Sequence, residues 1–314
     1  MKRELSSKLK ALILDRADQR VIILEGARQV GKSYLVKDIL KTFSTPVFFF
    51  DLEKDRSFSR KLDATEDFSD FKALLQDQFG VQEEGLLVID EAQESRRLAG
   101  YVKSFKEDWP QLKVLLTGSS MNRFFGPDIR IPVGRTQSLC LFGFSFTEFV
   151  EMVKGAALSD FIRSAPSSVP SSRHALLLEL FDQYLKVGGY PETVKAFAAG
   201  APYSDVTSEI MSDCEEDFER KEAYQPELFR GIINGVANYI GSPSKLTHFP
   251  ATKYHATRAL EAMKAWHLVL EVEPRSLDPL RSHFLPKRYL HDLGVINQSR
   301  TLSVPQISLI TTIE

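Results

Sequence analysis

Residues 26–33 read Gly-Ala-Arg-Gln-Val-Gly-Lys-Ser: a glycine, four residues, then Gly-Lys-Ser. The run follows Val21-Ile22-Ile23-Leu24 and precedes Tyr34-Leu35-Val36-Lys37-Asp38-Ile39-Leu40. Four consecutive apolar residues predict a strand buried on both faces, and the wider apolar spacing after residue 33 predicts a helix. A buried strand that turns into a helix through two glycines belongs in a parallel sheet with crossover helices. The glycines let backbone N–H groups close around an anion, and the helix N-terminus adds positive potential. The candidate phosphate-binding residues are therefore Gly26, Ala27, Arg28, Gln29, Val30, Gly31, Lys32, Ser33 and Tyr34. In such a loop the lysine, here Lys32, reaches the β- and γ-phosphates, and the hydroxyl, here Ser33, binds Mg2+.

The pattern recurs along the first half. An amphipathic helix is predicted over 4–15 and the first strand over 20–25. Further strands follow at Pro46–Phe50, Leu86–Ile89, Val114–Leu116 and Thr136–Phe142, with helices over 67–79 and 96–108 and another starting at Phe146. Ser164–Ser172 is rich in Ser and Pro and reads as a linker or mobile loop. Beyond it the pattern is mostly helical, from Leu176 to about Met263, interrupted by a turn at Gly188-Gly189-Tyr190-Pro191.

Composition narrows the function classes. No apolar run approaches the ~20 residues needed to span a bilayer, and the charged start Met1-Lys2-Arg3-Glu4 lacks a signal-peptide core. No membrane association is expected. Two cysteines, Cys140 and Cys214, are too few for a disulfide framework, so a reducing cytoplasm is the expected setting. Residues 245–300 carry nine Lys/Arg against five Asp/Glu, a basic region compatible with nucleic acid. Residues 205–230 reverse the balance, with three against nine, and Asp213–Asp217 reads as a solvated helix face.

Hydrolysis needs a carboxylate for the metal and a base for water. Leu86-Leu87-Val88-Ile89-Asp90-Glu91 places two carboxylates at the C-terminal end of a buried strand, where ligands sit in open α/β sheets. Asp90 is the expected metal ligand and Glu91 the expected base. Val114-Leu115-Leu116-Thr117-Gly118-Ser119-Ser120 repeats the design with hydroxyls, of which Thr117 is preferred and Ser119 next for orienting water or sensing the γ-phosphate. Arg28, Arg123, Arg130 and Arg135 are candidates for stabilising charge on that phosphate, with Arg135 preferred.

Together these residues resemble the prokaryotic AAA-type ATPases that carry a C-terminal domain of unknown function. The resemblance rests on 26–33, Phe-Phe-Asp-Leu-Glu (49–53), Leu-Val-Ile-Asp-Glu-Ala-Gln (87–93), Leu-Thr-Gly-Ser-Ser (116–120) and Val-Gly-Arg (133–135). Phe-Ser-Phe-Thr-Glu-Phe (144–149), Gly-Gly-Tyr-Pro-Glu (188–192) and Tyr-Leu-His-Asp-Leu-Gly (289–294) extend it over nearly the whole chain. The resemblance implies an α/β fold with a P-loop parallel sheet of order 5-1-4-3-2, then a helical segment and a winged-helix module. It also implies ATP over GTP. The family's usual nuclease-like module would come last. No acidic-x-Lys signature appears before Glu314, so that module is expected to be missing or reduced to a strand or two.

Read without the resemblance, Glu227–Tyr239 fits a helix with Leu228, Ile232, Ile233, Val236 and Ile240 as its apolar stripe. Ala251–Ala265 fits a second, with Ala256, Leu260 and Met263 inward, and Leu268–Val272 a wing strand. Helix, turn, helix and hairpin is a winged-helix order. Double-stranded DNA and a protein partner fit it equally. The expected domains are 1–155 (ATPase), 156–172 (linker or mobile loop), 173–226 (helical) and 227–314 (winged helix with a short remnant). The expected function is Mg2+-dependent ATP hydrolysis that moves the winged helix, with homo-oligomers compatible. The alternative is a nucleotide-gated binding module with negligible turnover.

Overall fold

The computed structural model describes residues 3–125, 134–222, 225–274 and 284–300. Two compact units result: Lys2–Ala27 with Gly31–Leu141, and Arg28–Val30 with Phe142–Glu314.

The first unit runs α1 (Leu5–Leu14), β1 (Val21–Glu25), α2 (Lys32–Leu40), β2 (Val47–Asp51), α3 (Arg56–Asp63), α4 (Phe68–Ala73), β3 (Gly85–Asp90), α5 (Leu98–Asp108), β4 (Leu112–Gly118), α6 (Met121–Phe124) and β5 (Thr136–Cys140). The strands form one parallel sheet of order β2-β3-β4-β1-β5, the expected order read from the other edge. Every residue of β3 and β4 is buried, as continuous apolar strands covered on both faces require. On one face Ile23, Leu87, Ile89, Val114 and Leu116 join a core with Phe58, Leu62, Phe71, Leu75, Phe105 and Trp109. Aromatic rings dominate it: Phe58 stacks on Phe50 at 4.4 Å between centroids and meets Phe79 edge-on at 4.8 Å.

No apolar period in the sequence predicts an element over 56–63, yet the segment is the helix α3. Its sequence is mostly polar, with Phe58 and Leu62 one turn apart as its only large apolar residues, and both are fully buried. The Asp55 side chain caps it by accepting from the Phe58 N–H at 2.9 Å. The helix expected over 67–79 is also divided: α4 gives way to a π-turn at Leu74–Gln78.

The second unit runs α7 (Phe146–Lys154), α8 (Ala156–Arg163), α9 (Ser171–Val187), α10 (Pro191–Ala198), α11 (Tyr203–Glu222), α12 (Pro226–Asn238), α13 (Lys253–Ala265), β6 (Val269–Val272), β7 (Lys287–Leu290) and α14 (Leu293–Ser299). Helix α7 groups with this unit rather than with the sheet, so the first unit ends 14 residues before the expected boundary at 155. Half of the expected linker over 156–172 is the helix α8, and the non-helical stretch shrinks to 164–170. The last part of the expected domain 227–314, residues 301–314, lies outside the described residues, as does the expected arginine candidate Arg130.

Motifs quoted above find structural reasons here. Ser145 and Glu148 form a capping box at the start of α7, with N–H to side-chain bonds of 3.2 and 2.9 Å. Gly-Gly-Tyr-Pro-Glu and Tyr-Leu-His-Asp-Leu-Gly pack against each other. Gly188 has φ +83°, and a Cβ there would lie 2.3 Å from Asp292 Oδ1 and 2.5 Å from the Gly294 nitrogen. The Gly189 N–H donates to Asp292 Oδ2 at 2.7 Å, and Asp292 also caps α14. Tyr190, 1% exposed, lies 2.7 Å through its hydroxyl from His291 Nε2. Burial pushes the Tyr190 phenol well up and the His291 imidazole down, the latter opposed in part by the Asp292 carboxylate.

Candidate nucleotide site

Parallel pairing sets the site. Leu24 and Glu25 of β1 align with Thr117 and Gly118 of β4, and β3 lies beside β4 with Ile89 against Leu116. The C-terminal ends of the three central strands therefore finish together. The loop leaves β1 at Gly26 and enters α2 at Gly31, whose φ of +93° makes it the left-handed N-cap. Gln29 at the loop's tip is also left-handed, at φ +60°. Gly26 has no room for a side chain: a Cβ would stand 2.1 Å from the Leu141 carbonyl oxygen. Leu141 in turn donates its N–H to the Glu25 carbonyl at 2.8 Å, which fixes the loop's first residue on both sides.

Lys32 is only 5% exposed, and its ammonium donates to the Gly26 and Ala27 carbonyls at 2.9 and 2.8 Å. The Ser33 hydroxyl donates to Asp90 Oδ2 at 2.7 Å. Asp90, 2% exposed, also accepts at Oδ1 from the Thr117 hydroxyl and from the Glu91 N–H at 3.2 Å. A hydroxyl and a carboxylate in contact at a helix N-terminus are hard oxygen donors of the kind Mg2+ takes, so the residues fit that ion. Thr117 is fully buried and spends its proton on Asp90, so here it steadies the carboxylate expected to hold the metal.

Glu91 has a left-handed backbone, φ +53° and ψ +47°, costing about 1 kcal/mol for a residue with a Cβ. Its Oε2 accepts from Gln93 Nε2 at 2.5 Å and from the Ser119 hydroxyl at 3.3 Å. Sequence reasoning missed Gln93. Its signal was present, because a residue two positions after the base on a short turn can reach back to it. The single oxygen of the Gln93 amide, Oε1, is buried and has no hydrogen-bond partner, an arrangement that costs about 1–3 kcal/mol.

Arg135 is not brought to this site. It immediately precedes β5 and accepts the Val21 N–H at its carbonyl, which puts it at the start of β1 and the opposite end of the strands. Its guanidinium pairs instead with Glu107 at 2.5 Å. The reason is directional: in a parallel sheet, residues before a strand lie at the far edge from residues after one. Arg28, Gln29 and Val30 group with the second unit. Within it Arg28 pairs with Asp217, and Gln29 donates to Asp213 at 2.7 Å. The run 213–217 is thus not the solvated face expected: Cys214, Glu215 and Asp217 are buried, and Glu215 pairs with Arg230 at 2.7 Å. Tyr34 is 58% exposed, one residue beyond Ser33 on α2.

Residues 18–150 match the family model of an AAA domain, and residues 178–306 that of a domain of unknown function, DUF8612. The chain is an AAA-type P-loop protein with a C-terminal domain of unknown function. No curated protein matches it in sequence. Among solved structures, this AAA protein is distantly similar to the RuvB Holliday junction branch migration motor of Thermotoga maritima. Identity there is 17%, over 87% of this chain and 90% of that one, with a TM-score of 0.40. The ORC1 protein of Aeropyrum pernix in complex with DNA shares 10% identity over 95% and 92%, with a TM-score of 0.35. A STAND protein with a tetratricopeptide repeat sensor from Pyrococcus horikoshii shares 12%, over 96% of this chain but 42% of that one, with a TM-score of 0.37. No helix among the described residues is long and apolar enough to cross a membrane.

Proposed function

We propose that the protein binds ATP with Mg2+ and hydrolyses it to ADP and phosphate, and that this changes the posture of a winged-helix module. The observation that carries the reading is the chain of contacts Ser33–Asp90–Thr117 beside Lys32, at the shared end of the central strands.

In this reading the loop's backbone N–H groups and the Lys32 ammonium hold the β- and γ-phosphates. Asp90 and Ser33 would hold magnesium, which when bound supplies positive charge against the triphosphate. Glu91 takes a proton from water as the water oxygen attacks the γ-phosphorus. The bond from that phosphorus to the β–γ bridging oxygen breaks, and ADP leaves with the bond's electrons. The helix–helix–hairpin order of α12, α13 and the antiparallel pair β6–β7 supports the winged-helix part. Lys253, Tyr254 and Arg258 on the exposed side of α13 suit duplex DNA.

Calorimetry and steady-state turnover, with and without duplex DNA, test the reading. Lys32→Ala should give no heat with MgATP. Glu91→Gln should bind and lose turnover by about 100-fold or more. A wild-type protein that takes up no MgATP refutes the nucleotide site, and a Glu91→Gln variant at wild-type rate refutes the base. Binding with no turnover under either condition leaves a nucleotide-gated module in place of an ATPase.

A further inference from the structure

The geometry points to Gln93 as the positioning residue that aims the Glu91 carboxylate, and to Gly118 as the residue that makes room for it. The proposal rests on Glu91 acting as the base in the reaction above.

A carboxylate that takes a proton from water must present one lone pair in a fixed direction. The Glu91 backbone is already set: its N–H is bonded to Asp90, its carbonyl accepts from the Glu94 N–H at 2.9 Å, and a 3-10 turn follows at once. The side chain would still be free to rotate. Gln93 and Ser119 both donate to Oε2, and neither touches Oε1. Two donors on one oxygen fix the carboxyl plane and turn the other oxygen to the reaction.

The amide can do this in one orientation only. Its NH2 group must face the carboxylate, since the reverse would set carbonyl oxygen against carboxylate oxygen. Gln93 Oε1 is then turned away into a place where no protein group donates to it. That place lies over Gly118. A Cβ at residue 118 would stand 2.0 Å from Gln93 Oε1 and 2.8 Å from Met121 Sδ. An amide kept without a partner for its oxygen, packed over a residue with no side chain, serves the bond at its other end. Gln93 and Gly118 are therefore two parts of one arrangement, the amide on one segment and the space for it on the other.

The test is a double-mutant cycle on the full chain, with kcat, KM for ATP and nucleotide affinity read for each variant. Gln93→Ala should lower kcat about 10- to 100-fold while nucleotide affinity stays within about twofold. Gly118→Ala should do the same, because its methyl pushes the amide off Glu91. The double variant should be no worse than Gln93→Ala alone, since the methyl then fills vacated space. Should Gln93→Ala not fold, Gly118→Ala carries the same readout with the amide retained. A Gln93→Ala variant at wild-type kcat, in a protein that Glu91→Gln inactivates, overturns the proposal and spares the ATPase reading. Loss of nucleotide affinity in step with kcat, or full additivity in the cycle, also overturns it. A wild-type protein that binds ATP without turnover overturns the reading beneath it and this proposal together.

Discussion

Tyr190→Phe removes a single oxygen from the centre of the second unit, and its effect can be worked out from the contacts. The His291 Nδ1 lies 3.3 Å from the Leu268 carbonyl, which can only accept, so Nδ1 carries the ring proton. Nε2 is then an acceptor, and the Tyr190 hydroxyl donates to it at 2.7 Å. Deleting the hydroxyl forfeits a hydrogen bond worth about 1 kcal/mol and leaves Nε2 without a donor, for a total of about 1–3 kcal/mol. For a unit of this size that lowers Tm by about 2–4 °C per kcal/mol. The chain's two tryptophans divide between the units, Trp109 in the first and Trp266 in the second. In a Trp109→Phe background, thermal unfolding followed by Trp266 fluorescence reports the second unit alone.

A pH arm sharpens the experiment. Burial holds the folded His291 below its ordinary 6.5, so on acidification the unfolded chain takes up a proton first. Stability from this group is full above 6.5 and declines as the pH falls below it, by at most about 1.4 kcal/mol per pH unit, until the folded ring itself is protonated. His291→Asn should flatten that decline. A Tyr190→Phe variant melting within about 1 °C of wild type, with His291→Asn leaving the acid slope unchanged, would refute the reasoning.

Two predictions concern the first unit. Phe58→Ala should cost about 3–5 kcal/mol in urea unfolding, because a fully buried ring stacked on Phe50 leaves a cavity under the sheet. The hydrogen bond from Arg20 is the largest influence holding the Asp18 carboxyl down, at about 2 against an ordinary 3.8. Its contribution is present above 3.8 and lost as the pH falls toward 2, so Asp18→Asn should flatten the acid-unfolding curve there, read from Trp109 fluorescence.

The parts legible in the sequence were those with strong local signals. Val21–Leu24, Leu86–Ile89 and Val114–Leu116 are continuous apolar runs, and continuous runs are what strands buried on both faces require. Sheet order came from the resemblance rather than from periodicity. Helix α3 was hidden because two buried residues suffice when aromatic neighbours complete the core, and two are too few to show a period. The acidic run at 213–217 was read as solvated because its partners, Arg28, Arg220 and Arg230, lie elsewhere on the chain or one turn on, and composition cannot pair charges. Asp90 and Glu91 could be placed because a strand's end is a local property. The same property sets Arg135 apart from them: it comes before its strand, which in a parallel sheet is the opposite end from Asp90 and Glu91. Gln93 stood in plain view within a quoted motif, and only its hydrogen bond to Glu91 gives it a task.

The contact between Gly26 and Leu141 has a mechanical reading. Leu141 closes the first unit, and Phe142 opens the second. Within the first unit, the carbonyl of its last residue takes up the space that a side chain at Gly26 would need. The entry to the loop and the exit from the sheet thus constrain each other through main chain alone, with no side chain between them.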